Sequence, residues 1–192
     1  MDTAEALTPL CFVLMPFGRK TDAAGRVTNF DSVYDKIIAP AVEQAGLEPI
    51  RADEEKIGGT IHKPMFERLM LCHYAVADIT GANPNVFYEL GIRHALRPRS
   101  TVIIFREGTV RPFDIALVRG ISYKTDSSGE PIGIQASLDA FADQLHAARG
   151  DAPLRGTERR HAPFARSLQR PRESASRECT VEKFLALDSE TP

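Results

Sequence analysis

Four side chains able to act on a sugar fall within twelve residues, in the segment Asp78-Ile79-Thr80-Gly81-Ala82-Asn83-Pro84-Asn85-Val86-Phe87-Tyr88-Glu89. Asp78 ends an apolar run, and Glu89 follows Asn83 by six residues, within the first turns of a helix opened by Pro84 and Asn85. A carboxylate near a helix N-terminus is expected to be held ionised by the dipole and the free amides. Cleavage of an N-glycosidic bond develops oxocarbenium character on the sugar. A carboxylate beside the anomeric carbon stabilises that charge or forms a glycosyl-enzyme adduct. In such chemistry Asn83 and Asn85 fix sugar hydroxyls, and Asp78 binds the sugar or manages a proton. A plainer reading of the same spacing pairs Glu89 with Arg93 at i+4, a contact worth about 0.3–0.5 kcal/mol.

The elements that must position these groups alternate along the first 150 residues. Cys11 to Met15 is an apolar run closed by Pro16 and Gly18, which predicts a buried strand. Phe30, Val33, Tyr34, Ile37, Ile38, Ala41, Val42 and Ala45 recur at helical spacing, with Asn29 or Asp31 as cap and Gly46 as stop. Pro40 interrupts that helix and is placed to kink it. Leu47 to Ala52 predicts a second strand, followed by a Gly58-Gly59 loop and a helix from about Pro64 to Cys72. Further strands are expected at 74–79, 101–105 and 120–123, and helices at 84–95 and 134–149. Strands that are apolar throughout, alternating with helices, predict a mainly parallel sheet of about five strands covered on both faces, a Rossmann-like or flavodoxin-like three-layer α/β domain.

The domain is expected to span 10–150, with 1–9 as an N-terminal extension. From 151 to 178 there are seven arginines against four acids and only scattered apolar residues, so 151–192 is expected to be a mostly disordered tail, apart from one short helix at 181–187. A composition 43% hydrophobic and 26% charged is that of a soluble globular protein. The net charge of −2 gives no case for nucleic-acid binding. No signal-peptide n-region, no membrane-length apolar run and three scattered cysteines point to the cytoplasm.

Ligands of open parallel sheets gather at the carboxyl ends of the strands. There Phe17 is a candidate base platform or a core residue, with Pro16 and Gly18 shaping its turn. Arg19 and Arg51 are candidate phosphate contacts or solvated side chains. Asp53 and Glu54 face the pocket or merely end a strand. Gly58-Gly59 is a flexible loop or a phosphate cradle, and His62 is a proton donor to the leaving base or a cap. His73 and His94 are assigned structural positions. His62, Cys72, His73 and His94 lack metal-site spacing, so no metal is expected, and no cofactor. There is no G-x-G-x-x-G after the first strand, no Walker A sequence and no G-x-S-x-G elbow.

Leu14-Met15-Pro16-Phe17-Gly18, Ala77-Asp78-Ile79-Thr80 and Asn83-Pro84-Asn85-Val86-Phe87-Tyr88-Glu89-Leu90-Gly91 together resemble the nucleoside 2-deoxyribosyltransferase-like group, which is related to TIR-type NAD-cleaving domains. Over about residues 10 to 148 the chain is similar to the deoxyribohydrolase-like domains found at the N-termini of bacterial signalling or defence proteins. The resemblance implies that Glu89 is the nucleophile and that Asp78 lies in the sugar pocket. The transferases usually carry an aspartate where this sequence has Asn83, which shifts the expectation toward hydrolysis or an altered substrate. The implied ligand is a nucleoside, a nucleotide or NAD. Two rivals stay open: a TIR-like NAD glycohydrolase, and a non-catalytic nucleotide-sensing or interaction module. Assembly into a homo-oligomer also stays open.

Overall fold

The computed structural model describes residues 8–51 and 62–150. The N-terminal extension before residue 8, the segment 52–61 with Asp53, Glu54, Gly58 and Gly59, and the tail from 151 lie outside the described residues. His62 opens a helix, but its side chain is also outside them.

Five parallel strands make the centre of one sheet: β1 (Leu10–Leu14), β4 (Glu48–Arg51), β5 (Tyr74–Asp78), β6 (Thr101–Arg106) and β7 (Gly120–Thr125). A sixth, β8 (Pro131–Ile132), pairs antiparallel with β7 at one edge, giving the order β4-β1-β5-β6-β7-β8. The α/β architecture and mainly parallel sheet agree with the sequence reading. β8, too short for any periodicity, lies beyond the expected five strands.

Alternation along the strands sorts side chains to two faces. Cys11, Val13, Tyr74, Val76, Val102, Ile104 and Tyr123 pack against the first helical run and α6 (Ile134–Gly150). Phe12, Leu14, Ala77 and Ile103 pack against α3 (His62–Leu71) and α4 (Pro84–Leu96). In β5 all five residues are buried, and Ala75 and Ala77 suit a position with neighbours on every side.

The first helical run departs from a plain α-helix. It comprises α1 (Phe30–Val33), a π segment (Tyr34–Ile38) and α2 (Ala39–Gln44), and Asn29 rather than Asp31 supplies the cap by accepting from the Ser32 amide. Pro40 has no N–H for the carbonyl one turn back, and the chain answers by widening: the Ala39 amide reaches Tyr34 O, five residues behind. Gly46, at φ +67°, then closes the run, its amide bonding Glu43 O and that of Leu47 bonding Val42 O.

The sequence gives no sign of a separate hairpin, β2 (Arg19–Thr21) with β3 (Val27–Asn29), between β1 and the first helix. Glu130 holds it from the β7–β8 turn, meeting Arg19 at 2.7 Å, Asn29 Nδ2 at 2.7 Å and, on the helix, Lys36 at 3.1 Å.

Candidate functional site

β1 leads to β4 on one side of the sheet, whereas β4 leads through α3 to β5 on the other side of β1. The carboxyl ends of β1 and β5 therefore flank the point where strand order reverses, the usual place for a ligand in such sheets.

At the β1 end, Pro16 is buried and Phe17 is 40% exposed. Gly18 takes a left-handed φ of +67°, which favours glycine, and is tied to the helix start. Its amide donates to Asp31 Oδ1 at 3.2 Å, and its carbonyl accepts from the Phe30 amide at 3.0 Å. The same Asp31 oxygen accepts from Arg51 at 2.9 Å, at the end of β4. The Arg51 guanidinium lies over the rings of Tyr34 and Phe17, 4.5 and 5.4 Å from their centroids. Phe17 thus stands as a partly exposed ring with a cation stacked on it. Arg19, the other candidate phosphate contact, pairs with Glu130 and donates to Ser128 O.

At the β5 end the carboxylates differ. Asp78 is fully buried on the face shared with α6; its Oδ1 accepts from the Thr80 amide at 2.9 Å and its Oδ2 from the Tyr123 hydroxyl at 2.8 Å. Burial pushes its carboxyl up to about 6, against the lowering pull of hydrogen bonds from Thr80 and Tyr123 and of the Arg106 charge. Tyr123→Phe removes one of these bonds. It is expected to push the Asp78 carboxyl higher still and to cost about 1–2 kcal/mol of stability by urea unfolding.

Between the carboxylates, Gly81 and Ala82 turn the chain through left-handed conformations (φ +74° and +53°) into Asn83. Asn83 caps α4: its Oδ1 accepts from the Asn85 amide at 2.9 Å and the Val86 amide at 3.4 Å. Its side-chain oxygen is thereby committed, leaving the amide NH2 for a ligand. Asn85 is exposed.

Glu89 lies in the second turn of α4 and is half-buried. Among the described residues it has no hydrogen-bond partner and no ion pair, and burial raises its carboxyl to about 7. The expectation that the helix dipole holds it ionised is therefore corrected. The free amides of the first turn belong to Asn83, the dipole effect fades beyond that turn, and desolvation prevails. The i+4 pairing with Arg93 does not form either. Arg93 is fully buried and spends its guanidinium on the carbonyls of Leu69, Cys72 and His73 and on Thr101 Oγ1. It closes the C-terminal end of α3.

A raised pKa fixes the sign of a stability effect. Glu89 contributes stability that is present below its ordinary value of 4.5 and is lost as pH rises through about 7. Glu89→Gln is expected to melt roughly 2–4 °C higher than wild type at pH 8 and at the same temperature at pH 4.

The residues that spacing alone did not single out are Asp31, Tyr34, Thr80 and Tyr123, which hold the predicted ones in place. Polar groups at the carboxyl ends of apolar strands were the available signal for Thr80 and Tyr123. Among the described residues no helix is long and apolar enough to cross a membrane, and no three His, Cys, Asp or Glu side chains form a metal-holding group. No protein-family model and no curated protein matches the sequence.

Proposed function

We propose that this domain cleaves the N-glycosidic bond of a nucleoside or nucleotide. The observation that carries the reading is Glu89: a half-buried carboxyl without a partner among the described residues, raised to about 7, on the helix that leaves the strand-order reversal. Its carboxylate attacks the anomeric carbon or stabilises the positive charge there; the base departs with the bonding electron pair and takes up a proton. Water then attacks the same carbon, releasing Glu89 and the sugar. Phe17 is the base platform, carried by the Pro16–Gly18 turn, and the Asn83 amide and Asn85 hold sugar hydroxyls. In this reading Asp78, with both oxygens engaged, acts through Thr80 and Tyr123 as a positioning residue rather than by touching sugar.

That same sequestration of Asp78 favours a second reading, a nucleotide-sensing module that binds without cleaving. The test is incubation of pure protein with deoxynucleosides, nucleotides and NAD, followed by chromatography for free base. Base release by wild type and not by Glu89→Gln supports cleavage, and nicotinamide from NAD alone supports the TIR-like variant of it. Tight binding without release, unchanged by the substitution, supports the sensor. Because the ionised form of Glu89 reacts, the rate is expected to climb about tenfold per pH unit below 7 and to level off above about 8.

A further inference from the structure

Arg106 ends β6, is 4% exposed and touches two segments far apart in sequence. Its Nη2 meets Asp22 Oδ2 at 2.6 Å in the turn of the β2–β3 hairpin, and its Nη1 donates to Val27 O at 2.9 Å and Thr28 Oγ1 at 2.8 Å. Its backbone amide donates to Thr80 Oγ1 at 2.8 Å in the loop between β5 and α4.

The Tyr123 hydroxyl donates to Asp78. The Thr80 hydroxyl lies 3.0 Å from the Tyr123 oxygen and also hydrogen-bonds Asp78. A hydrogen-bonded chain runs from the Arg106 amide through Thr80 and Tyr123 to Asp78. Arg26, paired with Asp22 at 2.9 Å, extends the network to the far side of the hairpin turn.

The hairpin follows immediately on Phe17 and Gly18, and the Thr80 loop leads directly to Asn83 and α4. We propose that Arg106 is a positioning residue that locks the hairpin and the β5–α4 loop into one unit, so that Phe17 and Glu89 keep a fixed relation across the mouth of the sheet. The guanidinium fork suits this task because it serves three acceptors at once, which an ammonium on a flexible stem does not. Removal of Asp22 leaves a buried cation without its carboxylate, and the strand end that carries the Thr80 bond moves with it. The consequence for catalysis rests on the glycosidase reading; the mechanical coupling does not.

Hydrogen–deuterium exchange on the full chain tests the coupling from both ends. Asp22→Ala is expected to accelerate exchange about tenfold in residues 19–29 and also in 80–86, while β1 and α6 keep wild-type protection. Thr80→Val, which cuts the network at its other end, is expected to loosen the hairpin as well, because coupling is reciprocal. Acceleration confined to the mutated segment in both variants, or no acceleration in either, overturns the proposal. If one variant unfolds throughout, the other decides alone. Where wild type releases base, Asp22→Ala lowers kcat about tenfold with KM within about twofold, and an unchanged kcat overturns the positioning role. A wild type that releases no base refutes the glycosidase reading and leaves the exchange result to stand by itself.

Discussion

Glu89→Gln is expected to lower the proposed base release by at least about 10³-fold in kcat, equivalent to about 4 kcal/mol of transition-state stabilisation. Glutamine keeps the shape of the side chain and cannot carry the negative charge that the developing sugar cation requires. The loss is expected to be in kcat, with KM little changed, since the charge matters most once the bond to the base has begun to break. Folding failure is separable from lost chemistry, because the variant is expected to melt above wild type at pH 8. A variant that folds, melts as expected and still releases base at the wild-type rate rules out Glu89 as the reacting group.

The largest stability effect is expected at Arg93. Arg93→Met is expected to lower the unfolding free energy by about 3–4 kcal/mol in urea. Methionine fills much of the volume but donates nothing, so the carbonyls of Leu69, Cys72 and His73 lose the donor that closes them off inside the protein. Arg93→Lys is expected to recover little, because one ammonium cannot serve carbonyls on several sides and Thr101 as well. A loss below about 1 kcal/mol for Arg93→Met would show that water replaces the guanidinium there.

What was legible in the sequence follows from the range of the forces involved. β1, β5 and β6 are short apolar runs bounded by proline, glycine or charge, and their burial is local enough to read. Pro84 and Asn85 announce the start of α4, because a first-turn proline is a local signal, whereas the capping role of Asn83 was not read from the sequence. The β2–β3 hairpin was not legible: its first strand is wholly exposed, without alternation, and its anchors Arg106 and Glu130 lie about 80 to 110 residues away.

Arg93 shows the same limit from another direction. Spacing brings it next to Glu89 on the helix surface, but the terminal carbonyls of α3 become visible as competitors only once α3 and α4 are packed together. The ionisation of Glu89 likewise depends on how much water the assembled fold removes, which no local pattern encodes. At Asp78 the sequence placed a carboxylate at a strand end, but the Tyr123 hydroxyl that occupies it comes from a strand 45 residues later.

The wide turn at Tyr34–Ile38 acts as a phase shifter in the first helical run. One residue of α-helix turns everything beyond it by about 100°, so the extra residue held in that turn sets the angle between two sets of side chains. Phe30 and Val33, ahead of the wide turn, and Ala41 and Val42, beyond it, all aim into the core, while Asp31 and Tyr34 reach Arg51. The helix should accordingly accept conservative exchanges along its length yet reject the deletion of a single residue between 34 and 38, which would swing one set away from its target while the other stayed seated.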